Sequence, residues 1–266
     1  MATLSADRIG VVNLGLRPYV EMSRFQERLV ERRRRGEVGD LLLILEHPPT
    51  YTQGRRSEAG DLLRSPEYFA EHGIAVCDTP RGGKVTYHGP GQLIVYPVIN
   101  LRGIGDQPGG VDRIDVAAFV SSLETAMTRA LARWGVEAAP IEGLTGLWVS
   151  SAEPIPPGAT AASMAARVAS GDVRKIGSIG LKISRGISSH GLSLNVSCDL
   201  SPFDGINSCG IEQCRVSSIA LEVESAPSVA QVGLAVSEEL AALLERRIDA
   251  LEPSDIGIET AMTATA

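Results

Sequence analysis

Four cysteines and three lysines hold most of the covalent chemistry open to this chain: Cys77, Cys198, Cys209 and Cys214, with Lys84, Lys175 and Lys182. A free thiol titrates near ~8.5, so little thiolate exists at neutral pH, and a neighbouring ammonium lowers that value. A thiol nucleophile beside a lysine is the chemistry these residue types suit best. Cys77 follows the apolar run Ile74-Ala75-Val76 and reads as a buried small hydrophobe. Cys198 follows a strand-like alternation and reads the same way. Cys209 differs, because Asn207-Ser208-Cys209-Gly210 is a polar turn where a thiol is exposed and backbone N–H groups gather. Cys214 is equivocal. Any one lysine is by default a solubility residue, and Lys182 fits a solvent-facing strand position.

The densest polar segment is Arg81-Gly82-Gly83-Lys84-Val85-Thr86-Tyr87-His88-Gly89-Pro90-Gly91-Gln92. Its glycines let backbone approach a ligand, and its polar side chains converge within one short span. A tight hairpin carrying ordinary surface polars fits the same residues. A second glycine cluster, Lys175-Ile176-Gly177-Ser178-Ile179-Gly180, lacks the Walker lysine and the strand–turn–helix context of nucleotide sites. It is one residue short of a Gly-x-Ser-x-Gly elbow. His190, Cys198, Cys209 and Cys214 share one stretch, but their spacing matches no paired zinc motif, so no metal is expected.

The net charge of -7 argues against broad nucleic-acid or anionic-membrane binding, which needs surplus Lys and Arg. The longest apolar run near the front, Leu41 to Leu45, is far too short to span a bilayer. With no disulfide framework and no leader-like start, a reducing cytoplasm is the expected compartment.

The elements that must position these groups are mixed. Strands are expected at Ile9–Leu14, Leu41–Glu46, Val85–Tyr87, Leu93–Asn100, Leu147–Val149, Ile176–Ser184 and Gly191–Val196. Helices are expected at Tyr19–Arg35, Pro66–Glu71, Asp115–Trp134 and Ser228–Leu244, the third carrying apolar residues at three- and four-residue steps. There is no regular βαβ alternation, so the fold class is a mixed α/β domain spanning 1–252. Residues 151–172, rich in Ala, Ser, Pro and Gly, read as a flexible insertion without core. Residues 253–266 read as a loose tail.

Several segments together resemble the lipoyl(octanoyl) transferases, the lipoate-protein ligase B family. They are Glu46-His47-Pro48-Pro49, Arg81-Gly82-Gly83, Thr86 through Gln92, Tyr96-Pro97, Arg174 through Gly180, Ser184-Arg185-Gly186, His190 through Asn195 and Cys209-Gly210-Ile211. They occur in the family's order from about the first strand to about Val223. The resemblance implies the fold of biotin and lipoate ligases, a mixed sheet flanked by helices. It implies transfer of an octanoyl group from octanoyl-acyl carrier protein to a lysine of a lipoyl domain, without cofactor, through a cysteine thioester. The acceptors would be lipoyl domains of 2-oxoacid dehydrogenases and the glycine cleavage H protein, and the enzyme a monomer. Carried over by position, the nucleophile is Cys209 and its partner Lys175. The acyl pocket is Arg81, Gly82, Gly83, Lys84, Val85, Thr86, Tyr87 and His88, with Ser178, Ile179, Gly180, Gly191, Leu192 and Ser193. His88 and His190 would orient the thioester, move protons or serve as structural hydrogen-bonding groups. Ser208 stands where the family usually has Pro, which bears on the rigidity of the turn. Glu31 through Arg35 and Arg55-Arg56 are either solvated surface or contacts for an acidic carrier protein. An ATP-dependent ligase on the same fold and a non-catalytic relative are the competing expectations.

Overall fold

The computed structural model describes residues 5–102, 114–207 and 214–258. Its strands are β1 (Arg8–Leu16), β2 (Asp40–Glu46), β3 (Thr50–Gln53), β4 (Ala75–Asp78), β5 (Val85–His88), β6 (Gln92–Val98), β7 (Ala138–Ile141), β8 (Leu144–Ser150), β9 (Val173–Ser184), β10 (Ile187–Asn195) and β11 (Arg247–Leu251). Its helices are α1 (Tyr19–Arg34), α2 (Pro66–Glu71), α3 (Val116–Ala132), α4 (Ala161–Ser170), α5 (Ile219–Glu222) and α6 (Val229–Leu243). Eight strands form one sheet in the order β11-β1-β2-β6-β10-β9-β8-β7, and β4-β3-β5 form a smaller one. The large sheet is mixed: β1 runs parallel to β2 and β11, whereas β6, β10, β9 and β8 pair antiparallel.

Both faces of the large sheet are covered, and the strand period of two divides its side chains between them. Leu42, Ile44, Leu93 and Val95 face a core with Phe119, Leu123 and Met127 of α3 and Val232, Val236 and Leu240 of α6. Leu41, Leu43, Leu45, Ile94 and Tyr96 face the other way, against Met22, Phe25 and Leu29 of α1. Each such apolar side chain taken fully from water contributes about 1.5–3 kcal/mol. Local signals fix the helix ends. Asp115 accepts from Ala118 N at 2.9 Å to cap α3, and Ser228 and Gln231 form a reciprocal capping box on α6. Three arginines in the last turn of α1 complement its dipole before Gly36, in the left-handed region, ends it.

Three expectations change. Residues 151–172 are not a core-free loop: α4 buries Met164 and Val168, one turn apart, against Ile141, Trp148 and Val173. Thr160 and Ser163 cap that helix, and Arg167 pairs with Asp172 at 2.6 Å. Two apolar anchors among alanines and serines make too faint a stripe to notice. The tail does not loosen at Pro253, because Ile256 and Ile258 are buried against the α1 face and Arg32 donates to Ile256 O. Residues 259–266 lie outside the described residues. Cys77 is not core: β4 is an edge strand with Ala75 and Val76 exposed and Cys77 half-buried.

Candidate functional site

A cavity of about 310 Å³ opens between the small sheet, α1 and the β8–β9–β10 end of the large sheet. Fourteen of the residues singled out from the sequence line it: Arg81, Gly83, Lys84, Val85, Thr86, His88, Lys175, His190, Ser178, Ile179, Gly180, Gly191, Leu192 and Ser193. Register explains the convergence of the last six. In the antiparallel pair β9–β10, Ser178 stands opposite Ser193, Ile179 opposite Leu192 and Gly180 opposite Gly191. The two facing glycines leave a slot where backbone is bare. A Cβ on Gly191 would stand 2.1 Å from Val95 O, and one on Gly180 would stand 3.0 Å from Arg81 Cδ. Side chains are therefore excluded from the slot by packing.

Lys175 reaches the cavity through an irregularity. Leu147 pairs with Gly177 but Trp148 pairs with Lys175, so Ile176 is an extra residue on β9. A bulge of this kind bends the strand and re-aims a side chain. It keeps Ile176 in the α3–α6 core while Lys175 turns to the other face, its Nζ 5.2 Å from the centroid of the Trp148 ring. The other two amines are placed differently. Lys84 is paired with Asp61 at 3.1 Å and Glu58 at 3.3 Å, and Lys182 is outside the lining.

The opposite wall is a buried polar network. His47 Nδ1 is 2.6 Å from Arg17 O, which can only accept, so Nδ1 carries the proton and Nε2 accepts from the Tyr96 hydroxyl at 2.8 Å. His88 Nδ1 donates to Gln92 Oε1 at 2.7 Å, while Gln92 Nε2 donates to Tyr87 O and Asn195 Oδ1. The Arg81 guanidinium, 7% exposed, donates to Thr52 O, Thr52 Oγ1 and Gly82 O. His190 holds a left-handed φ of 54°, and its N–H donates to Gln26 Oε1 at 2.7 Å. Among the described residues its buried Nδ1 has no hydrogen-bond partner. Burial pushes His47 and His190 down to about 4, and drives His88 well below the usual imidazole range with the neighbouring His47 second. The wall therefore offers neutral imidazoles at neutral pH.

Two residues picked out with the pocket are not in its lining. Gly82 donates to Leu181 O at 2.9 Å and ties the Arg81 loop to β9. Tyr87 points into the small sheet's own core with Tyr51, Phe69 and Ile206. Wall residues the sequence did not single out are Tyr19, Gly143, Leu144, Thr145 and Trp148, with Tyr96 noticed only as part of a motif and Arg56 only as a surface charge. Aromatic residues at a helix start or inside a strand look like core, so no local signal set Tyr19, Tyr96 and Trp148 apart from it.

Among the described cysteines none lines the cavity. Cys198 is buried, its thiol pushed up to about 12 chiefly by desolvation. Burial also raises Cys77. Cys209 lies outside the described residues, with Ser208, Gly210 and Ile211. The chain on both sides is fixed at the cavity. Asn207 N donates to Asp61 O at 2.8 Å, beside Lys84. Beyond the segment, Lys175 N donates to Arg215 O and Ser217 N to Lys175 O, with Val216 bridged to Lys175.

A family model described as the lipoyl protein ligase A/B catalytic domain matches residues 18–241. The chain belongs to this family. Among relatives of the lipoyl protein ligase A/B type, an octanoyltransferase of Acidobacterium capsulatum is 39% identical, covering 83% of each chain. An octanoyltransferase of Chloroflexus aurantiacus is 39% identical over 94% of this chain and 99% of its own. Among solved structures, a bi-partite lipoate protein ligase from Thermoplasma acidophilum superposes with a TM-score of 0.63 at 17% identity, covering 92% and 88%. Lipoate-protein ligase A bound with ATP gives 0.62 at 18% identity, covering 91% and 89%. These superpositions show the lipoate-ligase fold: a large mixed sheet with helices on both faces and a small sheet closing the cavity.

Proposed function

We propose that the cavity is the acyl slot of an octanoyltransferase that moves an octanoyl group from octanoyl-acyl carrier protein to a lysine of a lipoyl domain. Relatives matched over most of the chain carry the name octanoyltransferase, which supports the class of reaction. The observation that carries the mechanism is Lys175, turned into the cavity by a bulge, with the flanks of the Cys209 segment hydrogen-bonded on either side. Cys209 thiolate attacks the thioester carbonyl of the donor. A bond forms from Cys209 Sγ to the acyl carbon, and the carbon–sulfur bond to the carrier breaks, its sulfur taking a proton from the Lys175 ammonium and leaving as the thiol. The acceptor lysine then attacks the new thioester. The amide bond forms, the bond to Cys209 breaks, and Lys175 takes the proton the amine releases.

The slot suits such a chain. Gly180 and Gly191 supply bare backbone, Leu144 and Trp148 add apolar surface to the lining, and burying an eight-carbon chain at ~0.8 kcal/mol per methylene contributes roughly 5 kcal/mol. His88 and His190, held neutral, give or accept single hydrogen bonds without a charge that an alkyl chain would have to desolvate. The partners are an acidic acyl carrier protein and lipoyl domains of 2-oxoacid dehydrogenases and of the glycine cleavage H protein, met by a monomer in the cytoplasm. Arg55 and Arg56 are exposed, in no ion pair among the described residues, and Arg56 reaches the cavity rim. They suit the carrier contact better than Arg33, Arg34 and Arg35, which are paired with Asp40, Glu31 and Glu37.

Intact-mass analysis after mixing with octanoyl-acyl carrier protein, without ATP, tests this. One octanoyl mass gain that hydroxylamine removes, absent in Cys209→Ala, is expected. No adduct, with transfer appearing only when ATP and free octanoate are supplied, would replace transfer with ligation.

A further inference from the structure

The cavity's lysine has a carboxylate neighbour standing behind the wall. Glu124, on α3, is half-buried, and its Oε1 accepts from Gly146 N at 2.9 Å. Gly146 lies at φ +115°, and a Cβ there would stand 2.4 Å from Gly177 O and 2.9 Å from Lys175 Cε. The part of β8 held by Glu124 is thus packed directly on the lysine's methylene arm, while the Trp148 ring lies 5.2 Å from its Nζ.

We propose that Glu124 is a positioning residue for Lys175: anchored on Gly146, it fixes the start of β8 against the lysine arm. The proposal rests on Lys175 being the working amine of the acyl slot. Burial raises the Glu124 carboxyl, and the Gly146 hydrogen bond and the charge of Lys175 oppose that rise. Other charges on the surrounding elements are largely engaged elsewhere. Arg174 pairs with Glu222, Arg167 with Asp172, and Arg133 with Glu238 and Glu239. Glu142 on the β7–β8 turn and Arg215 beyond β9 are exposed, where solvent screens them.

Only three lysines occur in the chain, so lysine labelled with ¹³C at Cε gives three resonances, Lys175 being assigned by its loss in Lys175→Arg. In Glu124→Ala, which leaves Gly146 N without its acceptor, the Lys175 resonance shifts and broadens while those of Lys84 and Lys182 stay in place. Octanoyl-thioester formation falls about tenfold, the loss expected when a hydrogen bond to a charged group is removed. Glu124→Gln, which keeps an acceptor for Gly146 N, restores the Lys175 resonance and most of the rate. Should the Ala variant fail to fold, Glu124→Asp, which withdraws the carboxylate by one methylene, is read the same way for a smaller change. An unmoved Lys175 resonance in Glu124→Ala overturns the proposal, as does a Gln variant no better than Ala. A moved resonance in a protein whose wild type forms no thioester keeps the Glu124–Gly146–Lys175 contact and removes the octanoyl-transfer reading.

Discussion

Three imidazoles buried neutral around one cavity make stability depend on pH in a window that carboxylates do not reach. His47 has no exposed surface, and its Nε2 faces the Tyr96 hydroxyl in a site that desolvates any charge. Its folded-state value of about 4 lies below the ordinary 6.5, and His190 has the same value. Between those limits the unfolded chain binds protons that the folded chain refuses, so stability is full above about 6.5 and falls as pH drops toward 4. Each shift corresponds to about 3 kcal/mol at its full extent, at ~1.4 kcal/mol per unit. His88 is displaced in the same direction. Against a typical total of about 5–15 kcal/mol, this is enough to unfold the protein near the acid end of the window. Urea titrations at half-unit steps from pH 7.5 to 4.5 measure it. The expected slope approaches about 4 kcal/mol per pH unit in mid-window, and His47→Gln removes about 1.4 of that. Asp172 and Asp249, lowered by their arginine partners, act only below the ordinary carboxylate range. Stability that stays level from pH 7 to 5 and breaks only below 4 would refute the argument.

Other outcomes follow from the same geometry. Gly180→Ala puts a methyl 3.0 Å from Arg81 Cδ and 3.1 Å from Gly82 O, so octanoyl transfer falls more than hexanoyl transfer. The ratio changes about fourfold per excluded methylene, at ~0.8 kcal/mol each, and equal losses for both chains would remove Gly180 from the slot. Cys198→Ala leaves acyl-enzyme formation intact, because that thiol is buried, 3.6 Å from Asn195 Oδ1, and outside the cavity lining. Loss of the mass adduct in this variant, with its melting temperature kept, contradicts the assignment. Arg55→Glu and Arg56→Glu raise KM for the carrier protein at low salt and leave kcat near wild type. A KM that ignores both charge and salt shows that the carrier docks elsewhere.

Much of this architecture could be read without coordinates, and the exceptions have physical causes. The helices α1, α3 and α6 were legible because each repeats apolar residues over four or more turns. The strands β2, β6, β9 and β10 were legible because their runs are apolar and bounded by glycine or proline. The short strands β3, β4, β7 and β11 were not, since four or five residues cannot establish a period. In β4 the apolar letters Ala75 and Val76 misled, because an edge strand leaves them in water. The pocket segments themselves were legible as family motifs, but not their division of labour. Tyr87 and His88 are adjacent, and the period of two sends one to the small sheet's core and the other to the cavity. Nothing in the letters shows that Ile176 is an extra residue, because a bulge exists only relative to the strand it pairs with.

That bulge also explains how a ligase-like fold can carry a lysine next to a slot made of bare backbone. In regular pairing the core face of β9 sets the orientation of every neighbour, and a one-residue slip reverses it. Ile176 and Gly177 both face the α3–α6 core, Ile176 packing there and Gly177 lying where a Cβ would meet Leu194 and Met127. The alternation before them is thereby decoupled from the alternation after them. Ser178 and Gly180 keep the phase that lines the slot, and Lys175 acquires the phase that reaches it. Were the pairing regular with Ile176 opposite Trp148, Ile176 would face the cavity and Lys175 would turn toward α3. The lysine and the slot can therefore coexist on one strand only while Gly146, at φ +115°, lets the facing strand β8 close over the extra residue.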